Sequence, residues 1–148
     1  IVIVEPDRAA CLFESARAGE LTSVEPAEPT LMAMLECFTP SISAWRMLEK
    51  IADAFVTVGE EDAEDAMRRL AGRPGTPVVA GESGAAGLAG LLAAAKDETL
   101  RATLKLGPTS RVLLINTETA TDPGSFTRIV GRSPGEVAAM QNPAPASA

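Results

Sequence analysis

Short apolar runs at residues 1–4, 55–58, 77–80 and 112–115 punctuate the chain, and stretches of helical periodicity separate them. Residues 1–4 are uninterrupted β-branched positions, the pattern of a strand covered on both faces in a parallel sheet. Glu5-Pro6 ends that run. Asp7 then predicts the cap of a helix reaching about Ala18, with Leu12, Phe13 and Ala16 on one face and Gly19 as its stop. Pro26 and Pro29 mark residues 20–29 as a loop. Residues 30–35 are apolar but too short to separate helix from strand. Pro40-Ser41 opens a further helix whose apolar stripe is Trp45, Leu48, Ile51 and Ala52.

After the run at 55–58, Gly59 leads into Glu60, Glu61 and Asp62, acids placed where a helix N-terminus favours them. Ala63, Ala66, Met67 and Leu70 share one face of that helix, Arg68 and Arg69 lie near its end, and Gly72 and Pro74 stop it. Residues 83–96 predict a helix of small residues, and 97–106 a short helix and a turn. Asp122-Pro123 reads as turn chemistry. Strands alternating with helices predict an α/β fold: three layers, a mainly parallel sheet of about four or five strands, and helices on both faces. Residues 1–132 form the folded portion of this reading. Residues 133–148 are Pro/Ala-rich without periodicity and are expected to be a flexible tail.

A chain of 148 residues with 46% apolar content holds one domain's worth of core. Aromatic residues make up only 3% and tyrosine is absent, so helices and sheet are expected to pack closely through alanine and glycine. A formal charge of −7 argues against nucleic acid and against anionic membrane surfaces as partners. No apolar run approaches the length of a membrane span. The chain opens on a strand without an initiator methionine, and is expected to be part of a longer enzyme. Cys11 and Cys37 lack metal-ligand spacing and no metal site is expected. They read as half-buried thiols of a cytoplasmic protein, with a Cys11–Cys37 bridge left open.

Candidate chemistry gathers where two apolar runs end, because ligands of open α/β sheets bind at the carboxyl ends of strands. Asn116, Thr117 and Glu118 follow the run at 112–115; Glu82 and Ser83 follow the run at 77–80. The stretch from Gly81 to Gly90 is glycine-rich, yet it matches neither the dinucleotide fingerprint nor a P-loop. Ser83 is expected to cap the helix, and Gly84, Gly87 and Gly90 to let it lie close on the sheet. Histidine is absent, and the lysines Lys50, Lys96 and Lys105 fall on helices or in a turn, expected in solvent. None has the setting of an imine-forming lysine, so no catalytic residue is expected in this chain.

Several stretches together resemble the later part of the diaminopropionate ammonia-lyases. They are IVEP at 3–6, CLFESARAG at 11–19, PTLMA at 29–33, GESGAAGLAG at 81–90, and VLLINTE at 112–118 running on to Asp122-Pro123. The likeness extends from Ile1 to about Gly131, with the motifs in the family's order. That family shares the pyridoxal-phosphate fold of threonine dehydratase and the tryptophan synthase β chain. The resemblance implies a cofactor-binding large domain of fold type II, pyridoxal 5′-phosphate as cofactor, and a cytoplasmic homodimer acting on a small amino acid. It implies elimination of ammonia from 2,3-diaminopropionate to give pyruvate. It assigns Thr117 to the position whose hydroxyl meets the cofactor's ring nitrogen, Glu82 to the strand-end acid near the ring, and Asn116 to the same cofactor-binding group. The imine lysine and the acid/base residues are then expected upstream of Ile1, leaving this segment inactive alone. Thr119 departs from the family's glycine, and Met34, Glu36 and Phe38 stand where smaller residues are usual. A threonine or serine dehydratase-like lyase of the same fold, or a non-catalytic α/β ligand-binding module, are the alternatives.

Overall fold

The computed structural model describes residues 1–26 and 28–141. Two strands, β1 (Val2–Pro6) and β2 (Ala54–Val58), pair in parallel, with Val2 opposite Ala54 and Pro6 opposite Val58. The described helices are α1 (Cys11–Ala18), α2 (Ile42–Ile51), α3 (Glu60–Ala71), α4 (Glu82–Lys96), α5 (Glu98–Thr103), α6 (Pro123–Val130) and α7 (Pro134–Ala139). Successive strand side chains point to opposite faces of a sheet, and the helices divide accordingly. Glu5 of β1 reaches the start of α1, accepting from the backbone N–H of Leu12 at 3.0 Å and of Phe13 at 2.7 Å. Phe55 shares that face, and its ring lies 6.2 Å from that of Trp45 on α2. The neighbouring Val4 points the other way, against Gly90 of α4. Helices therefore cover both faces of a parallel sheet, as the alternating pattern predicts.

The core lies between the sheet, α3 and α4. Ala63 and Ala66 of α3 face Ala85, Ala86 and Ala89 of α4 in one buried cluster. Side chains this small let two helix backbones approach closely, and Met32, Met67 and Phe126 fill the remaining space. Arg68 of α3 donates through Nε to the carbonyl of Ile129 at 3.0 Å, which ties α6 onto the same layer.

Several expectations need correction. Residues 77–80 and 112–115 are extended but join no ladder, so the sheet has two strands among the described residues, not four or five. An apolar run reports that a segment would suit a strand; it does not supply the neighbour. Leu113 is 86% exposed and Ile115 72%, with no backbone partner beside them. Asp7 caps nothing: residues Asp7–Ala9 make a single 3-10 turn, and α1 begins only at Cys11. Its buried positions are Cys11 and Ser15, one turn apart, rather than Leu12, Phe13 and Ala16. Glu5 does the capping from the sheet. Gly19 does stop α1, in the left-handed conformation at φ 74°.

Asp122-Pro123 proves to be a helix start. Asp122 Oδ1 accepts from Gly124 N at 2.9 Å and Ser125 N at 3.0 Å, with Pro123 at the first helical position. The expected tail also folds at its beginning. Ser133 and Glu136 form a reciprocal capping box at the head of α7, and Val137 is fully buried. Anchoring one core side chain is enough to hold a short helix that composition alone marks as frayed. The rest of that expected tail, 142–148, lies outside the described residues.

Candidate functional site

Helix α4 starts at Gly81, which has no side chain to cap it. The first N–H groups of a helix need acceptors, and Glu118 supplies one from a segment 34 or 35 residues later. Its Oε2 accepts from Ser83 N at 2.9 Å and Gly84 N at 3.3 Å, while Oε1 accepts from Thr121 Oγ1 at 2.8 Å. The Glu118 carbonyl accepts from Gly81 N at 3.0 Å. A carboxylate at this end of a helix is also favoured by the helix dipole. The approach is close enough to dictate glycine. A Cβ on Gly81 would strike the Thr119 carbonyl, and one on Gly84 would strike Asn116 Oδ1 and the Glu118 carbonyl.

A cavity of about 880 Å³ runs along α4 from Ser83 past Gly87 and Gly90 to Ala94. Val2 and Val4 of β1, Leu104 and residues 111–115 wall it, so it is chiefly apolar. Thr117 and Ser83 add polar groups where α4 begins. Of the three residues expected to bind cofactor, only Thr117 reaches this wall. It is exposed, and its hydroxyl makes no hydrogen bond to the described residues. Asn116 lies outside the lining, with Oδ1 accepting from Glu118 N at 3.3 Å and Nδ2 donating to the Val79 carbonyl at 3.4 Å. Glu82 is buried in the first turn of α4 and is also outside the lining. The structure thus brings Thr117 to the cavity and does not bring Glu82 or Asn116 with it.

Ser83 corrects the sequence reading in a second way. Its Oγ does not cap α4; it accepts from Met34 N at 3.1 Å, tying the 3-10 turn Ala33–Leu35 to the cavity mouth, where Leu35 also lines the wall. The preceding segment is pinned by Glu60, whose carboxylate accepts from Thr30 Oγ1 and from Leu31 N, each at 2.6 Å. Glu118 was grouped with the polar residues after the run at 112–115 but given no role, and its capping of α4 is what sequence reasoning missed. The signal was the bare glycine at the head of α4, which requires a cap from elsewhere. Lys105 is exposed, as expected, and it also lines the cavity, in the left-handed conformation at φ 54°. It lies beyond α5, and the far end of α4 at Lys96 is itself roughly 20 Å along the helix axis from Ser83 at 1.5 Å per residue.

Both cysteines are free thiols, Cys11 buried and Cys37 exposed. Burial, reinforced by the charge of Glu5, pushes the Cys11 thiol up to about 11. A thiol held that high is protonated at neutral pH and is a poor nucleophile. Burial likewise raises the Glu5 carboxyl above its ordinary 4.5, against the lowering effect of the Leu12 and Phe13 amides.

A family model described as "Pyridoxal-phosphate dependent enzyme" matches residues 1–118. The chain is 35% identical over 135 residues to the diaminopropionate ammonia-lyase of Escherichia coli K12, covering 87% of this chain and 34% of that protein. It is 38% identical over 144 residues to the diaminopropionate ammonia-lyase of Salmonella typhimurium LT2, covering 90% of this chain and 35% of that one. A crystal structure of the Escherichia coli diaminopropionate ammonia lyase, in complex with an aminoacrylate-PLP azomethine reaction intermediate, superposes with a TM-score of 0.78 at 33% identity. The superposition covers 87% of this chain and 33% of that chain. The chain spans about a third of the length of the relatives it matches.

Proposed function

The chain belongs to the family of pyridoxal-phosphate-dependent enzymes, and from that premise we propose that residues 1–132 are the C-terminal portion of the cofactor-binding domain of an ammonia-lyase. Its substrate is 2,3-diaminopropionate, its products pyruvate and ammonia. The observation that carries this reading is the Thr117 hydroxyl, uncommitted at the wall of the cavity beside Ser83, in a chain 35% and 38% identical to two diaminopropionate ammonia-lyases. The residues suit the cofactor. A planar ring with one basic nitrogen suits a largely apolar slot with a donor at its edge; the wall is largely apolar, and Thr117 is one of its polar groups beside Ser83, Lys105 and Arg111.

When bound, pyridoxal phosphate supplies the electron sink for the bond changes at the amino acid's α- and β-carbons. With the cofactor bound, the Thr117 hydroxyl would donate a hydrogen bond to the ring nitrogen and retain its proton. A neutral hydroxyl cannot hold that nitrogen protonated as a carboxylate would, which favours elimination over transamination. Gly87 leaves its stretch of the α4 side clear of side chains, whereas Gly90 lets Val4 of β1 lie directly against the helix. The Ser83 hydroxyl holds the turn Ala33–Leu35 at the mouth, so that Leu35 keeps water from that side. The lysine that joins the cofactor and the groups that move protons at the substrate come from the rest of the enzyme. Asn116 serves this site as a support, through its hydrogen bonds to the Val79 carbonyl and the Glu118 N–H. Two free thiols favour a cytoplasmic location by the redox rule, and the resemblance to the ammonia-lyases favours a homodimer for the full enzyme.

The experiment is substrate profiling of the complete enzyme loaded with pyridoxal phosphate, reading pyruvate and ammonia release. The reading expects 2,3-diaminopropionate to be processed with a higher kcat/KM than serine or threonine. Faster release from serine or threonine would make it a dehydratase, and release from none would end the lyase reading.

A further inference from the structure

The geometry points to Glu118 as a positioning residue for Thr117: its carboxylate sets where the neighbouring hydroxyl stands at the cavity wall. The inference rests on the reading of Thr117 as the partner of the ring nitrogen, and adds what holds that hydroxyl in place. Thr117 makes no hydrogen bond of its own to the described residues, and the extended segment leading to it has no ladder. On its upstream side the nearest tether is the Asn116 amide, a long 3.4 Å from the Val79 carbonyl. On its downstream side stands Glu118, one residue and about 3.8 Å away between Cα atoms.

Glu118 is held from several directions at once. Ser83 N and Gly84 N donate to Oε2, Thr121 Oγ1 donates to Oε1, and Gly81 N donates to its carbonyl. Its own N–H is taken by Asn116 Oδ1 at 3.3 Å. The two glycines of the α4 start leave room for this backbone and for no added Cβ. Small changes in a donor's place are costly at a site, and a supporting shell is what prevents them. Here the support ties the strand-end segment to the helix that forms the cavity floor, so both walls move together.

The chemistry of the clamp separates two variants. In Glu118→Gln the amide oxygen can still accept from Ser83 N and Gly84 N, and the amide nitrogen can donate to Thr121 Oγ1. Glu118→Ala removes all three side-chain contacts. Neither variant touches the cofactor directly.

The test uses the complete enzyme with pyridoxal phosphate carrying ¹⁵N in its ring, reading the ring-nitrogen resonance and the cofactor Kd, with Thr117→Val as the reference. Glu118→Ala is expected to move the resonance toward its position in Thr117→Val and to weaken cofactor binding roughly tenfold or more, the loss of a buried partner. Glu118→Gln is expected to keep the wild-type resonance. Adding Glu118→Ala to Thr117→Val should move it no further, because the effect passes through Thr117. Hydrogen exchange in the 148-residue chain gives a readout free of cofactor: the Ser83 and Gly84 amides should exchange faster in Glu118→Ala. Should Glu118→Ala fail to fold, Glu118→Asp, one methylene short of the amides, stands in under the same criteria. A wild-type resonance in the Glu118 variant, with Thr117→Val shifted, overturns the positioning role alone. An unshifted Thr117→Val overturns the ring-nitrogen reading and the positioning role with it.

Discussion

Two glycine-to-alanine substitutions on α4, one turn apart, should change stability in opposite directions. Both replace glycine inside a helix, which by propensity stabilises by about 0.5–1 kcal/mol. At Gly87 the added methyl meets only Leu114 Cδ2 at 3.8 Å, an ordinary contact, so that gain stands. At Gly90 the methyl lands among both Cγ atoms and the Cβ of Val4, the last at 3.3 Å. Valine is stiff about χ1 and cannot swing aside, so helix and strand must separate; overpacking of this kind costs about 1–3 kcal/mol. Gly90→Ala is therefore neutral to about 2 kcal/mol destabilising, after subtracting the propensity gain. Urea unfolding followed by circular dichroism measures both. With a slope of about 1–3 kcal/mol per molar, the two midpoints should lie roughly 1 M apart. Val4→Ala placed in the Gly90→Ala background should cost less than Val4→Ala alone, because the collision has gone. Equal midpoints, or Gly90→Ala above Gly87→Ala, would refute the close approach of α4 to β1.

Glu5 carries a pH dependence of definite sign. Its carboxyl is raised above 4.5 in the folded chain, so the fold binds that proton more tightly than the unfolded chain does. Its contribution is complete below pH 4.5 and lost as pH rises through the raised value; Glu5→Gln should remove that decline from a plot of unfolding free energy against pH. Iodoacetamide at pH 8 should label Cys37 and leave Cys11 unmodified until the chain unfolds, and equal labelling would refute the burial of Cys11. Borohydride reduction with pyridoxal phosphate should not label any lysine of the 148-residue chain stoichiometrically. Lys105, on the cavity wall, is the residue whose complete labelling would contradict the statement. Phe126→Ala should destabilise the fold by about 3–5 kcal/mol in a urea melt, since the ring is fully buried in the core; a loss under 1 kcal/mol would show that α6 is not docked there.

Much of the framework was legible because it is local. The β-branched run at the chain start, the acids after Gly59 and the buried faces of α3 follow from periodicity and helix-end electrostatics, which neighbouring residues decide. The misreadings share a different cause. Asp122-Pro123 and Ser133-Pro134 carried an N-cap followed by proline at the first helical position, a helix start that the Pro-rich surroundings disguised as turn and tail. Residues 112–115 have the right preference for a strand, but a ladder depends on a second segment that composition cannot supply. Thr117 was legible as a hydroxyl at the end of an apolar run. Glu82 and Asn116 were grouped with it by adjacency to strand ends, whereas the burial of the α4 first turn and the hydrogen bonds of Asn116 to Val79 and Glu118 set them apart. The task of Glu118 was hidden because the helix it caps starts at Gly81, far away in sequence.

The central claim is that the Thr117 hydroxyl faces the ring nitrogen of pyridoxal phosphate, and Thr117→Val in the complete enzyme tests it most directly. The substitution nearly keeps the side chain's shape and removes only the donor. The account predicts a roughly ten- to hundredfold loss in cofactor affinity or turnover, from an unpaired buried acceptor costing about 1–3 kcal/mol, together with a changed cofactor absorbance spectrum. Unchanged affinity, turnover and spectrum would show that Thr117 is a turn residue and that the cavity beside α4 is not the cofactor's site.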